Sequence, residues 1–371
     1  MRNKSLLYIS SLPQNSQSGG ANAVNYHTYK ELQKYFDCTY VQINPPEPQW
    51  GKRWSQFKRK ILRQPGKFNF FSRKRLKAIA GEFDAIKGNY DIVFFRGFTP
   101  WILCQPEVPY VAYNDVHFFQ FFKNTFDEKH FITTDIQRIC KVEKDWLSKA
   151  KTIIFESQWG ADQCLQDYKL FSEKLVAVGR GGHIPLPKED QYTNGLNLVI
   201  IANNFYQKGG DLVFKAFSQL KPDHKKLQLH IIGGHPDESI LKTKDVFYHG
   251  YLLKENKKDL DKLVQILSTA FLLMHITRED INPLVPTEAG YFGCPTISVK
   301  HFAMPELVKH NKTGLLLPYL PDPGEIAKSI TGLIEDRQSY LKMRFECWNH
   351  NRSHYSWESI GKQLKVNIDN E

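Results

Sequence analysis

Short apolar runs alternate with longer amphipathic stretches along the whole chain. In the first half, runs that predict strands lie at residues 6–10, 39–43, 91–95, 110–113, 152–156 and 175–178. The second half repeats the pattern, with runs at residues 198–202, 227–232, 246–249, 271–276 and 296–299. Strands that alternate with helix-length segments indicate parallel sheets covered by helices on both faces. The pattern therefore predicts an α/β protein with two doubly wound domains.

The segments between the strands predict how the domains are connected. Helices are expected at about residues 21–36, 211–220 and 254–270, and the polar stretch at residues 185–197 is expected to link the domains. Ligands of doubly wound sheets bind beyond the carboxyl ends of the strands. We therefore expect the ligand site in a cleft between the two domains.

Composition places the chain among soluble globular proteins. Its 371 residues are 41% hydrophobic and 24% charged, and no apolar run is long enough to predict a membrane span. The apolar stretch at the N-terminus is too short to predict a secretory leader. The six cysteines are scattered without a Cys-x-x-Cys pair. We therefore expect buried thiols in a reducing cytoplasm and no zinc site.

The net charge of +11 is concentrated in one segment, residues 52–77. This segment contains eleven Lys or Arg and no acid, and outside it basic and acidic residues are equal in number, at 39 each. Trp54, Phe57 and Ile61 recur on one face of a predicted helix within it. The pattern predicts attraction to an anionic membrane surface. A solvated basic helix whose stripe faces the core fits as well, whereas nucleic-acid binding is not expected because no binding motif accompanies the charge.

Residues 277–299 carry the strongest chemical signal. Asp280 and Glu288 stand with seven residues between them, and Asn282-Pro283 predicts a helix that starts at Pro283. The N–H groups at the start of a helix favour an anion. An anion site flanked by two carboxylates suits a ligand that has both phosphates and hydroxyls. A nucleotide sugar is such a ligand.

Several further motifs follow one another in a fixed order. They lie at residues 18–24, 156–168, 207–217, 230–234, 247–252, 302–317 and 354–363. With the acidic pair, this series resembles the GT-B-fold retaining glycosyltransferases of group 1, which are family 4-like and share a Glu-x7-Glu motif. The resemblance covers nearly the whole chain.

The resemblance implies two Rossmann-like domains that face each other across a cleft. Residues 1–187 would bind the acceptor, residues 195–353 would bind the nucleotide sugar, and a C-terminal helix in residues 354–371 would cross back to the first domain. The implied reaction transfers a sugar, with retained anomeric configuration, to a glycan or glycolipid. Surface polysaccharide assembly in the cytoplasm, or on the inner face of the plasma membrane, is the implied setting.

The same resemblance implies roles for individual residues on the donor side. Lys208 matches the lysine that binds the donor diphosphate, and Asp280 matches the acid that contacts hydroxyls of the donor sugar near the reacting carbon. Glu288 matches the acid that holds the ribose hydroxyls. Gly19 and Gly20 match a glycine loop that lets main-chain N–H groups approach a phosphate.

Some donor positions depart from the family pattern. Asn203 stands where the family commonly has a donor-binding arginine, so Arg180 or Arg278 would supply the charge, or the site would be weaker. Glu279 could replace Asp280 by a shift of one residue.

At the predicted helix start, Asn282 is expected to belong to the donor site. Pro283 replaces a common glycine and has no N–H, so the amides of Leu284 and Val285 would hold the phosphates.

On the acceptor or sugar side, the resemblance points to residues after the strand at 110–113. Asn114 falls where the family often has a histidine beside the donor sugar, and Asp115 and His117 lie next to it. An ordinary loop with a surface histidine is the alternative for His117.

Neither a metal nor another cofactor is expected. The pair Asp259 and Asp261 lies on a predicted charged helix face, and the resemblance implies that basic residues and helix dipoles take the place of Mg²⁺ or Mn²⁺.

Two other functions fit parts of the pattern. A non-catalytic subunit that binds nucleotide sugars or docks on membranes is compatible with the altered positions Asn203 and Asp280. A GT-B-fold epimerase is the second alternative function. A phosphorylase would require a pyridoxal phosphate lysine, for which the sequence shows no signal.

Overall fold

The computed structural model describes residues 4–369 and divides into two compact units. The N-terminal unit comprises the chain up to Gly179 together with the segment from Gly361 onward, and the C-terminal unit comprises Arg180–Ile360. The sequence prediction placed the corresponding boundaries at residues 187, 195 and 353.

The N-terminal unit is built on one six-stranded parallel sheet. Its strands are β1 (Ser5–Ser10), β2 (Asp37–Gln42), β3 (Ile92–Arg96), β4 (Tyr110–Asn114), β5 (Thr152–Phe155) and β6 (Leu175–Ala177). They lie in the order β2-β1-β3-β4-β5-β6. All five residues of β3 are buried, as expected for a strand covered on both faces. The six predicted strands of this half are confirmed.

Helices cover both faces of this sheet. They are α1 (Gly19–Leu32), α2 (Gln49–Lys60), α3 (Arg73–Asp84), α4 (Phe118–Thr125), α5 (Thr133–Leu147) and α6 (Gln158–Tyr168). The predicted helix at residues 21–36 begins two residues earlier and ends four residues earlier than expected. Helix ends are set by local turns, which a periodic pattern does not register.

The C-terminal unit contains a second six-stranded parallel sheet. Its strands are β7 (Leu196–Ala202), β8 (Leu227–Gly233), β9 (Val246–Tyr248), β10 (Leu272–His275), β11 (Thr296–Val299) and β12 (Gly314–Leu317). They lie in the order β12-β11-β10-β7-β8-β9, which is the strand order of dinucleotide-binding doubly wound sheets. The apolar pattern did not predict β12.

The helices of the second half follow the strands in the expected alternation. They are α7 (Gly210–Leu220), α8 (Glu238–Leu241), α9 (Lys257–Ser268), α10 (Val285–Tyr291), α11 (Met304–Leu307), α12 (Pro323–Glu335), α13 (Arg337–His354) and α14 (Trp357–Asp369). The prediction that a helix starts at Pro283 is wrong, because α10 begins at Val285 and has Pro286 in its first turn. Proline is favoured in the first turn of a helix, and here the second proline of the segment takes that place.

The end of α14 packs on the N-terminal unit. The Lys4 ammonium lies 3.1 Å from the Asp369 carboxylate, and the Thr152 hydroxyl donates to the Asn367 carbonyl at 3.2 Å. A side chain at Gly361 would lie 2.7 Å from Glu31. These contacts confirm the expected return of the C-terminal helix to the first domain.

All six cysteines are free thiols, and four of them are buried. Within residues 4–369, no helix is both long enough and apolar enough to cross a bilayer.

Candidate active site

The strand order of the C-terminal unit identifies where its sheet offers a ligand site. In doubly wound sheets the crevice opens where the strand order reverses, at the carboxyl ends of two adjacent strands. Here those strands are β7 and β10, which are neighbours in the sheet. The loop after β7 carries Lys208, and the loop after β10 carries Asp280. Two residues predicted for the donor site thus come from the two loops at the switch point.

Lys208 and Asp280 form an ion pair. The Lys208 Nζ lies 2.5 Å from Asp280 Oδ2, and both side chains are partly exposed. His275, the last residue of β10, lies with its Nε2 3.6 Å from the same oxygen. Burial opposes ionisation, but the His275 and Lys208 side chains outweigh it and hold the pKa of Asp280 well below its usual range. Glu279 is exposed, so Asp280 and not Glu279 is the acid paired with Lys208.

A glycine makes the approach of the Lys208 loop to β10 possible. Gly209 has φ +73°, and a Cβ at this position would lie 2.0 Å from the carbonyl oxygen of Ile276. The positive φ and the close contact both exclude an ordinary side chain. Gly209 therefore holds Lys208 against the end of β10, where Asp280 follows.

Glu288 is buried within α10 and has one oxygen without a partner. Its Oε1 lies 2.5 Å from the Lys254 ammonium and accepts a hydrogen bond of 2.8 Å from the His183 N–H. Its Oε2 has no hydrogen-bond partner among the described residues. Burial would raise the pKa of Glu288, but the Lys254 charge and these hydrogen bonds lower it. Glu288 is thus a buried carboxylate with an acceptor available for a ligand hydroxyl.

The segment around Gly182 fixes the position of Glu288. The Gly182 N–H donates to the Tyr291 hydroxyl at 2.8 Å, and the Trp357 Nε1–H donates to the Gly182 carbonyl at 2.8 Å. A Cβ on Gly182 would lie 2.7 Å from Glu288 Cγ. The main chain therefore lies directly on the Glu288 side chain and limits its rotamers.

The structure tests the cations suggested as replacements at the Asn203 position. Arg278 donates two hydrogen bonds to Asp211, at 2.9 and 3.0 Å, so its guanidinium is already engaged. Arg180 is half-buried. Asn203 itself is exposed, and its carbonyl accepts a hydrogen bond of 2.9 Å from the Tyr251 hydroxyl. Lys254, which sequence reasoning missed, is a third candidate because it lies on Glu288.

The remaining donor residues lie before and at the start of α10. Asn282 is buried, Leu284 is the N-cap, and Val285 is the first helical residue. Because α10 has seven residues, its dipole is short. The N-terminus of a helix carries about half an elementary positive charge, which is less than the full charge of the Lys208 ammonium.

In the N-terminal unit, Gly19 and Gly20 lie between β1 and α1. Gly19 has φ +79° and is the first residue of α1, and Gly20 is exposed. Strands β1 and β3 enclose the switch point of this sheet, because β2 lies on one side and β4 on the other. The glycines thus stand where a ligand is expected, and their contact with a phosphate stays a prediction.

Asn114 ends β4 and makes several internal contacts. Its Nδ2 donates to the Val116 carbonyl at 2.7 Å, and its Oδ1 accepts a hydrogen bond of 3.1 Å from Arg96. Arg96 also lies 2.8 Å from Glu156 in a buried ion pair. Sequence reasoning missed Arg96 and Glu156, although a charged residue at the end of an apolar strand was a usable signal.

Asp115 and His117 occupy different environments. The Asp115 carboxylate accepts a hydrogen bond of 2.8 Å from the Val116 N–H. His117 is fully buried, with its Nε2 3.0 Å from Asp167 and its ring edge-on to Tyr168. Burial lowers the pKa of His117 to about 4, although Asp167 opposes the shift. His117 is therefore neither a surface histidine nor open to a ligand in this structure.

The pair Asp259 and Asp261 lies on α9, as predicted. Asp259 Oδ2 accepts a hydrogen bond of 3.1 Å from the Leu253 N–H. Across residues 4–369, no three His, Cys, Asp or Glu side chains converge as a metal site would require.

Residues 187–346 match the family model for glycosyl transferases group 1. This region of the chain is similar to the group 1 glycosyl transferases. The matched region contains Lys208, Asp280 and Glu288, and it lies within the C-terminal unit.

A curated relative resembles part of the chain. It is the phosphatidylinositol N-acetylglucosaminyltransferase gpi3 subunit of Schizosaccharomyces pombe, with 22% identity over 180 residues. The match spans 47% of this chain and 38% of that protein.

Two solved structures share the fold over nearly the whole chain. Sucrose-phosphate synthase from Thermosynechococcus elongatus has a TM-score of 0.69 at 15% identity and covers 97% of both chains. Anabaena Alr3699/HepE, in complex with UDP and glucose, has a TM-score of 0.62 at 15% identity, covering 99% of this chain and 100% of the other. The protein has the GT-B fold, as expected.

The basic segment at residues 52–77, which lies outside the region matched by the family model, presents an apolar surface. Helix α2 packs through small residues, since Ser55 is buried and accepts a hydrogen bond of 2.6 Å from Asn69. A Cβ on Gly51 would lie 2.9 Å from Asn69. Another side of the segment at residues 50–61, which we call the α2 face, is exposed and consists of Trp50, Trp54, Phe57 and Ile61. The alternative of a core-facing stripe is therefore wrong, because Trp54 and Ile61 are 57% and 66% exposed.

Proposed function

We propose that this protein is a retaining glycosyltransferase that moves a sugar from a nucleoside diphosphate sugar to a glycan or lipid-linked acceptor. The observation that carries the proposal is the Lys208–Asp280 pair at the switch point of the sheet, within the region that matches the family model for group 1 glycosyl transferases. Nearby on α10, Glu288 keeps one buried oxygen without a partner among the described residues.

Lys208 would stabilise the departing diphosphate. Negative charge grows on the phosphate as the bond to the sugar breaks, and a positioned ammonium lowers the energy of that state. When the donor binds, Lys208 would exchange Asp280 for a phosphate oxygen. Asp280, ionised at neutral pH because its pKa is low, would then accept hydrogen bonds from the sugar hydroxyls.

Glu288 would hold the ribose. A buried carboxylate oxygen without a partner is costly, and a ribose hydroxyl would satisfy it. Asn203, Asn282, Leu284 and Val285 would also contact the donor. Lys208 and Lys254 would supply positive charge without a metal or another cofactor.

The N-terminal unit would bind the acceptor. Asn114 and Asp115 lie at the carboxyl end of β4, where ligands of such sheets bind, while buried His117 would position the loop. Gly19 and Gly20 would approach a phosphate. The anomeric configuration would be retained if the acceptor attacks the same face of the sugar from which the diphosphate leaves. The leaving phosphate would then accept the proton of the acceptor hydroxyl.

The α2 face favours a membrane setting. Exposed aromatic side chains surrounded by lysines and arginines are attracted to anionic headgroups. The protein would then act at the cytoplasmic face of the plasma membrane, in surface glycan or glycolipid assembly.

The test is a panel of nucleotide sugars, with thermal shift for binding and release of free nucleoside diphosphate for turnover. UDP-glucose comes first, because it is bound in the structure of Anabaena Alr3699/HepE. Lys208→Ala and Glu288→Ala should each lower turnover by about 10²-fold or more. Lys215→Ala, which removes an exposed lysine on α7, is the control.

Full activity in both site variants would overturn the site assignment. Donor binding without release of nucleoside diphosphate, for any donor and acceptor, would favour the non-catalytic subunit. An inverted anomeric configuration in the product, read by NMR, would refute retention alone.

A further inference from the structure

The N-terminal unit contains an apolar cavity that the proposed transfer reaction does not use. It has a volume of about 430 Å³ and lies between α4, α5, α6 and the turn at Glu128–His130. Its apolar wall consists of Phe119, Phe122, Phe131, Ile136, Cys140 and Tyr168. This size is within the range of small-molecule sites.

The polar groups of the wall are largely satisfied within the protein. The Tyr168 hydroxyl donates to Glu143 at 2.7 Å. The Asp167 carboxylate lies 3.0 Å from His117 and accepts a hydrogen bond of 3.0 Å from Gln120. Burial raises the pKa of the Cys140 thiol to about 12, so the thiol is neutral. An occupant therefore meets mainly aromatic and aliphatic carbon, which favours a hydrocarbon.

Charged side chains of both signs line the cavity. Lys141 and Lys144 belong to the lining, as do Glu128 and Asp167. The Arg59 guanidinium lies 4.9 Å from the centre of the Phe131 ring. With Arg59, three cations stand beside the two acids Glu128 and Asp167, and this excess of one positive charge favours an occupant whose polar end is anionic, such as a phosphate.

The cavity adjoins the segment that carries the α2 face. The Gly66 N–H donates to the His130 carbonyl and the Ile132 N–H donates to the Gly66 carbonyl, both at 3.0 Å. Together with the contact between Arg59 and the Phe131 ring, these hydrogen bonds connect the segment that follows α2 to the cavity wall. A lipid drawn from a bilayer at the α2 face would have a short path to the cavity.

The cavity also adjoins the proposed acceptor residues. His117, three residues after Asn114, contacts Asp167 in the cavity lining. We infer that the cavity binds the hydrocarbon chain of a lipid phosphate acceptor and so places its head near Asn114 and Asp115. The identity of the lipid head group rests on the proposed function, whereas the binding of the hydrocarbon chain rests on the cavity itself.

The test measures lipid binding by the full chain without a donor. Dansyl-undecanoic acid is the fluorescent probe, and octyl, dodecyl and hexadecyl phosphate compete with it. Saturable binding is expected, with competition that strengthens with chain length because more methylene groups are buried. Inorganic phosphate should not compete, which separates the chain from the head group.

Two substitutions fill the cavity. Thr133→Trp and Cys140→Trp replace lining residues of α5, and each should weaken probe binding by about tenfold or more. Thr134→Trp is the matched control, because Thr134 is also exposed on α5 but does not belong to the lining. Far-UV circular dichroism checks that all three variants are folded.

The inference is overturned if the wild-type protein shows no saturable probe binding, if competition is independent of chain length, or if both cavity variants bind as the control does. Donor turnover, measured separately with Lys208→Ala, reports on the proposed function. Probe binding without donor turnover would leave the cavity assignment standing and refute the transferase. Donor turnover without probe binding would support the transferase and refute the cavity assignment.

Discussion

At the scale of single residues, each carboxylate of the acidic pair is held by its own lysine. Asp280 is partly exposed beside Lys208, whereas Glu288 is buried beside Lys254. The family resemblance implies different roles for the two acids, and their surroundings in the structure differ as well. A partly exposed acid can exchange partners as a ligand arrives, and a buried one offers a fixed acceptor.

Lys254 can be tested through the pH dependence of donor binding. In Lys254→Met, burial acts on Glu288 without the opposing charge, so the pKa of Glu288 rises. Donor binding should then be lost at a higher pH on the acid side than in the wild-type protein. Calorimetric titration with UDP across the acid range measures this, and Lys254→Arg should restore the profile. Lys257→Met, an exposed lysine of α9, is the control, and an unshifted profile in Lys254→Met would refute the role.

Glu143 makes a separate prediction about stability. Burial raises its pKa to about 7, despite hydrogen bonds from Thr99, Phe118 and Tyr168. Between the unfolded value of 4.5 and about 7 the folded state binds more protons, so stability is greatest at low pH and falls as pH rises through this window. The loss is on the order of 3 kcal/mol.

Glu143→Gln removes this titration. Its amide can still donate to Thr99 and accept from Phe118 and Tyr168, so the fold should persist. Urea unfolding across pH 4.5 to 7 should give a flatter pH dependence in the variant than in the wild-type protein. Equal slopes would show that Glu143 does not titrate in this range.

At the scale of elements, the function of a helix depends on which of its faces is buried against the rest of the protein. The amphipathic pattern of α2 predicts a helix, and the structure confirms one at Gln49–Lys60. Because Gly51 and Ser55 form the inward side, the aromatic stripe faces outward.

The α2 face can be tested by sedimentation with liposomes. Trp54→Glu combined with Ile61→Glu should reduce binding to anionic phosphatidylglycerol vesicles, because it places acids where apolar side chains would insert. Binding should also weaken with salt and be weak on neutral vesicles. Phe171→Glu is the control, since Phe171 is exposed in the same unit away from α2. Wild-type binding by the double variant would refute the α2 face as the docking surface.

At the scale of the whole molecule, two sheets with different strand orders provide two separate switch points. The C-terminal sheet reverses between β7 and β10, and the N-terminal sheet reverses between β1 and β3. The residues proposed to bind the donor lie in the C-terminal unit, and the cavity proposed to bind the lipid chain lies in the N-terminal unit.

Hydrogen exchange with mass spectrometry can show this division. UDP should slow exchange in residues 277–291, and hexadecyl phosphate should slow it in residues 118–144. Lys208→Ala should abolish the first effect only, and Thr133→Trp the second only. Protection by UDP confined to the N-terminal unit would contradict the assignment of the donor site.

The sequence by itself determined the elements and the principal candidates. Eleven of the twelve strands follow from apolar runs, because a buried parallel strand is a local pattern. Lys208, Asp280 and Glu288 were found because each lies in a recognisable motif.

Only the tertiary structure decided which of these residues meet and which face of each element is buried. Lys208 and Asp280 are distant in sequence, and Lys254 has no motif, so their pairings depend on the sheet order. The burial of His117, the outward aromatic side of α2 and the cavity beside α5 likewise arise from packing between segments that are far apart in the chain. Such contacts leave no periodic trace in the sequence.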